Sequence, residues 1–181
     1  PFSMSQLLAV VWGLLRLRRG PEDLPAVGAF LGFAIVLYVV LTLATMIPLA
    51  YGDASLVLVI TIVVVTLAIA SAVLWTLLLV RGVGARLNQT LAAWLLADVA
   101  LSLPAVPLFL TFPESWTALL EGRPEAAHPV LQAGLLVLAV WELLVQGHIL
   151  HRALDVGRVL GVILALLTML VVTSLTQALL A

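Results

Sequence analysis

The chain has 181 residues, 64% of them hydrophobic and 9% charged, with eight basic against nine acidic side chains for a net charge of -1. A soluble domain carries about a quarter of its residues charged and just under half apolar, so a chain with mean hydropathy +1.27 does not belong to that class. The basic residues are too few for a nucleic-acid surface, and the absence of cysteine removes disulfides, thiolate chemistry and cysteine-ligated metals together.

Residues 1–20 come first. Ser3 and Gln6 have capping-box spacing and predict a helix through the apolar run 7–15 to Leu17, closed by Gly20 and Pro21. That run is too short to cross a bilayer and reads as an amphipathic interfacial or re-entrant helix. Its charges, Arg16, Arg18 and Arg19, follow the apolar run, the reverse of the order in a secretory signal. They are placed to contact anionic headgroups, with Trp12 at the boundary.

Residues 21–181 read as one five-helix transmembrane domain. Each of five stretches meets the length of roughly 20 apolar residues that a helix needs to cross the hydrocarbon. They cover 26–47, 55–80, 89–112, 129–150 and 157–179, the first closed by Pro48 and the turn Tyr51-Gly52-Asp53. In the third, Pro104 and Pro107 predict a kink beyond Asp98. Between the third and fourth, residues 113–122 read either as a short helix, with Pro and Glu in its first turn and Gly at its end, or as a loop anchored by Trp116. The fold class is therefore all-α integral membrane protein. No internal repeat is visible, and an odd number of spans argues against two inverted halves.

The arginines orient the bundle. Arg16, Arg18, Arg19, Arg81, Arg86, Arg152 and Arg158 fall on one side and only Arg123 on the other. By the positive-inside rule the N-terminus is cytoplasmic and the C-terminus outside, in a bacterial inner membrane.

Asp98 and Glu142 are the only acids deep inside spans. Asp98 lies 12 residues after Arg86 and Glu142 lies 10 before Arg152, roughly 18 and 15 Å along a helix, so their depths match. A carboxylate at a helix centre costs about 2.5–3.5 kcal/mol by insertion scales, so both must face protein or water. The third and fourth spans are then neighbours, meeting through Trp94, Asp98 and Ala105 on one and Leu138, Glu142 and Gln146 on the other. The pair reads as interhelical glue, with Gln146, Thr61 or Thr66 as partners, or as a proton relay or cation site.

His148, His151 and Asp155 share a helix face at i, i+3 and i+7. They read as a weak divalent-metal site or as a headgroup-level cap with His151–Asp155 and Arg152–Asp155 pairs. Gly28–Gly32 and Gly157–Gly161 have the four-residue spacing of close helix packing, within the chain or between chains. No nucleophile elbow, zinc-protease motif, phosphate loop or dinucleotide fingerprint occurs, and no cofactor is expected.

Five spans, a short N-terminal arm Leu15-Arg16-Leu17-Arg18-Arg19-Gly20-Pro21 and the stretch from Trp141 through Glu142, Gln146, His148 and His151 to Leu154 resemble bacterial members of the Yip1 family. The resemblance lies in layout. The long N-terminal domain of the eukaryotic trafficking members is missing, so their GTPase binding does not carry over. The functional expectation is a non-enzymatic scaffold or accessory subunit that packs against lipids and against other integral membrane subunits or itself. The alternative is a proton- or cation-linked transporter or channel component using Asp98 and Glu142.

Overall fold

A computed structural model describes residues 3–50, 56–120 and 122–180. The predicted turn at Tyr51-Gly52-Asp53 lies outside them, as do Ser55 and Glu121. Among the described residues the chain is helical throughout, with short 3-10 turns and no strand: α1 (Met4–Leu15), α2 (Gly28–Ala50), α3 (Leu56–Val80), α4 (Leu87–Ser102), α5 (Ala105–Thr111), α6 (Pro113–Leu120), α7 (Pro129–Leu154) and α8 (Arg158–Leu180). Five helical stretches are long and apolar enough to cross a membrane, α4 and α5 together forming the third.

The expected capping box opens α1: the Gln6 N–H donates to Ser3 Oγ, and the Ser3 N–H donates to Gln6 Oε1. The other end differs from expectation. The helix stops at Leu15 rather than Leu17, in a left-handed turn that closes Leu17 N–H onto Leu14 O and Arg18 N–H onto Gly13 O. This is the C-terminal motif that normally uses glycine, yet the left-handed position here is Leu17, at φ 57°. Gly20 and Pro21 instead open a separate 3-10 turn, Pro21–Asp23, with the Gly20 N–H donating to the Asp23 carboxylate.

α1 is not a free amphipathic helix. Leu7, Val10, Leu14 and Leu15 are buried in a core with Ala92, Ala93, Leu96 and Ala97 of α4 and Val145 and Ile149 of α7. Met4, Leu8 and Trp12 stay exposed on its outer face. Trp141 Nε1 donates to the Leu15 carbonyl at 2.9 Å and ties the end of α1 to α7.

The long helices form a ring in the order α7, α8, α3, α2, α4 and back to α7, with α3 also touching α4. α4 is the most enclosed: its span is 44% buried, against 11–28% for the others. From Thr90 to Ala97 every residue is buried, because α1, α2, α3 and α7 surround it. Small side chains on α4 (Ala92, Ala93, Ala97) let these neighbours approach. The predicted proline break falls at Leu103–Pro104, where α4 ends and α5 begins. The segment after it is a helix, not a loop: α6 ends in a turn through Gly122 at φ 71°, with the Arg123 N–H donating to Ala118 O.

The closest helix approach uses only one of the four glycines read from the sequence. A Cβ on Gly161 would lie 2.5 Å from the Gly147 carbonyl oxygen, and one on Gly147 would lie 2.8 Å from Val162 Cα. α7 and α8, the most extensively packed pair, therefore meet through Gly147 and Gly161. Gly147 was not singled out in the sequence, because no second small residue lies four positions away on its own helix to mark it. Gly28, Gly32 and Gly157 have nothing within 4 Å of an added Cβ.

These backbone facts set the expected stability of three variants. Leu17→Gly removes the left-handed strain and should raise stability by about 1 kcal/mol, seen as a higher thermal midpoint in detergent. Gly161→Ala should destabilise by about 1–3 kcal/mol through overpacking against α7 backbone. Gly32→Ala, which adds a methyl to open space in mid-helix, should be neutral or stabilising by up to about 1 kcal/mol.

Candidate functional site

The third and fourth apolar stretches are neighbours, as the burial cost of their acids requires, and α4 packs directly on α7. Asp98 and Glu142 come together, each close enough to act on the other's carboxyl, and both line the same two cavities. A carboxyl group donates only when protonated, so two carboxyls this close can bond to each other only by sharing a proton. One turn after Glu142, Gln146 Nε2 donates to Glu142 Oε1 at 2.9 Å. Gln146 is only 2% exposed, and its own Oε1 is buried with no hydrogen-bond partner.

These groups line a cavity of about 160 Å³ to which all five long helices contribute. α2 provides Tyr38, which is buried, bonds to the Thr42 side chain and lies within electrostatic reach of both carboxyls. α3 provides Thr66, and α8 provides Thr173. Trp94 and Asp98 come from α4, and Glu142 and Gln146 from α7. A second cavity of about 310 Å³ lies between α4–α5 and α7, lined by Asp98, Leu101, Ser102, Ala105, Leu138 and Glu142 among others. The acid pair belongs to the walls of both. The face read from the sequence, Trp94, Asp98 and Ala105 against Leu138, Glu142 and Gln146, is thus the face that builds the two cavities.

Of the expected partners of the acids, Gln146 is in place and Thr66 lines the first cavity, with its hydroxyl 3.4 Å from that of Thr176. Thr61 is elsewhere, donating to the Val57 carbonyl on its own helix. Tyr38 was missed by the sequence reading. Its only signal was a lone tyrosine inside an uncharged span, and the register that brings it to the acids belongs to the α2–α4 contact.

The histidine run is divided among separate partners. His148 Nε2 lies 3.0 Å from the Arg19 carbonyl oxygen, and His151 Nδ1 contacts the Val156 carbonyl. Asp155, left-handed at φ 50°, pairs with Arg86 at 2.8 Å. The expected local pairs His151–Asp155 and Arg152–Asp155 are replaced: Arg152 bonds to Glu22 across 130 residues of sequence. Among the described residues no group of three potential metal ligands comes together. This polar collar ties the short connections to one end of the bundle. Arg81 donates to the Leu154 carbonyl, Arg86 to the Ala153 carbonyl, and Gln89 to the Leu24 carbonyl. Arg16, Arg18 and Arg19 are exposed beside it, with the Arg16 guanidinium 5.8 Å from the centre of the Trp12 ring.

No protein-family model, no curated protein and no solved structure matches this chain.

The pair's geometry sets the cost of breaking it. Asp98→Leu leaves Glu142 without its carboxyl partner and should lower stability by about 1–3 kcal/mol. Asp98→Asn keeps a side-chain donor toward Glu142 and should cost less than about 1 kcal/mol. Thermal unfolding of the two variants in one detergent compares them directly.

Proposed function

We propose that this chain is a polytopic protein of the bacterial inner membrane and a proton-linked transport component, with the Asp98–Glu142 pair as its proton-exchange site. The observation that carries this reading is a pair of carboxyls forming part of the walls of two cavities, beside a buried acceptor with no partner. Interhelical glue alone calls for polar groups in dry contact, whereas both carboxyls line cavities. A pair that holds one proton can receive it from one cavity and release it to the other. Orientation follows the arginine count, with the N-terminus cytoplasmic and the C-terminus outside; Arg16, Arg18 and Arg19 contact anionic headgroups.

The test is proton flux in liposomes holding the purified chain, driven by a potassium diffusion potential and read with an internal pH dye. Wild-type protein should dissipate the gradient, and Asp98→Asn and Glu142→Gln should each slow it at least tenfold. Flux equal to that of protein-free liposomes would sink the reading.

A second reading, a scaffold or accessory subunit, draws on one different observation. Gly28, Gly32, Val36 and Val40 form an i, i+4 row on α2 that is exposed, with nothing packed on the glycines. Another integral membrane subunit, or a second copy, would fit that row closely. Gly32→Leu should then abolish the association seen on native gels after mild extraction, while leaving the melting temperature unchanged. The likeness to bacterial Yip1-family proteins is part of this proposal and is supported by layout alone.

A further inference from the structure

The cavity among the five helices is unbalanced in its hydrogen bonding. It offers acceptors on Asp98, Glu142, Gln146 and the hydroxyls of Tyr38, Thr66 and Thr173, and no lysine, arginine or histidine lines it. One N–H of the Gln146 amide is already given to Glu142. What remains unmatched is an acceptor, the buried Oε1 of Gln146, a residue that borders the same space. A ligand that complements the two carboxyls and this unmatched acceptor brings N–H donors and positive charge. The opposite wall restricts the choice further. Leu67 and Ala70 of α3 and Met169 and Val172 of α8 are apolar, and the rings of Trp94 and Tyr38 flank the space. A bare metal ion has no use for such a wall. An alkyl chain does, and an ammonium group is drawn both to carboxylates and to aromatic faces. At about 160 Å³ the space is well above the roughly 10–15 Å³ that a single water needs.

We infer that this cavity binds a small primary alkylammonium ion in exchange for the proton held between Asp98 and Glu142. An R–NH3+ group has three N–H donors, and the three acceptors that match it are Asp98, Glu142 and the orphan Gln146 Oε1. The exchange balances in charge: one cation enters as one proton leaves, so no net charge is added to a low-dielectric site where an uncompensated one is costly. No covalent bond is made or broken. The titratable groups facing the cavity are Tyr38, Asp98 and Glu142; α3 and α8 contribute only hydroxyls and apolar side chains. The inference rests on the reading of the acid pair as a proton-exchange site and names what is exchanged.

The experiment is calorimetric titration of the purified full chain in detergent with butylammonium chloride, repeated in two buffers of different ionisation enthalpy. Sodium chloride and tetramethylammonium chloride serve as probes lacking N–H donors. The expected result is saturable butylammonium binding with release of about one proton, weakening about tenfold per pH unit of acidification in the range where the pair holds its proton. Asp98→Asn, Glu142→Gln and Gln146→Leu should each weaken it at least tenfold while keeping a cooperative melt. If Gln146→Leu fails to fold, Gln146→Met serves in its place. Absence of binding to folded wild-type protein, binding without proton release, equal binding of tetramethylammonium or sodium, or equal binding by the Asp98 and Glu142 variants would each overturn the inference. Proton flux in liposomes with no butylammonium binding would overturn the amine site and leave the proton-linked reading standing. Binding with proton release but no flux would do the reverse.

Discussion

The cost of holding two carboxyl groups inside an apolar bundle governs the rest of this structure. Neither acid tolerates contact with hydrocarbon, so each helix that carries one has a single usable orientation. α4 bears the heavier constraint and becomes the central element, buried without interruption from Thr90 to Ala97. α7 then turns the face bearing Glu142 and Gln146 toward it. With α4 and α7 fixed to each other, α2, α3 and α8 complete the ring and bring Tyr38, Thr66 and Thr173 to the same cavity. A polar residue that is expensive to bury has organised the apolar ones around it.

The arginine-rich end shows how such a bundle closes its helix ends with few polar residues. Arg81 and Arg86 donate to the terminal carbonyls of α7, which have no partner within the helix. Gln89 does the same for the connection before α2. His148 and His151 each meet a backbone carbonyl of a neighbouring turn. Residues that resemble a functional cluster in sequence therefore act mainly as caps, and Arg152 reaches Glu22 rather than its own helix neighbour. α1 is held at this end too, through the Leu15 carbonyl and the Trp141 indole, so it packs as part of the bundle.

The site joins two chemistries that rarely sit together in a chain with 9% charged residues. One wall is rich in acceptors and carries both carboxyls; the other is apolar and aromatic. The proton-linked proposal uses the first wall alone, and the alkylammonium inference uses both. The orphaned Gln146 oxygen connects them, since an acceptor left unmet in a buried site is costly unless something supplies a donor.

Much of the architecture was legible in the residues themselves. Apolar runs of bilayer length marked the five long helices, Ser3 and Gln6 marked the start of α1, and Pro104 marked the break in the third span. The matched depths of Asp98 and Glu142 made α4 and α7 neighbours before any packing was known. These features are local or follow from transfer cost, and a linear sequence carries both. The end of α1 was not legible, because a leucine in a left-handed turn is tolerated only when surrounding contacts hold it there. Nor was the choice of Gly147 and Gly161 over Gly28, Gly32 and Gly157, which depends on where two helices cross. The partners of Asp155 and Arg152, the place of Tyr38 and the pair of cavities likewise arise from the mutual rotation of helices far apart in sequence. Sequence alone determined which residues must be hidden from an apolar surround; the tertiary structure decided what they meet there, because apolar helices offer many faces of nearly equal packing energy and only the assembled ring selects among them.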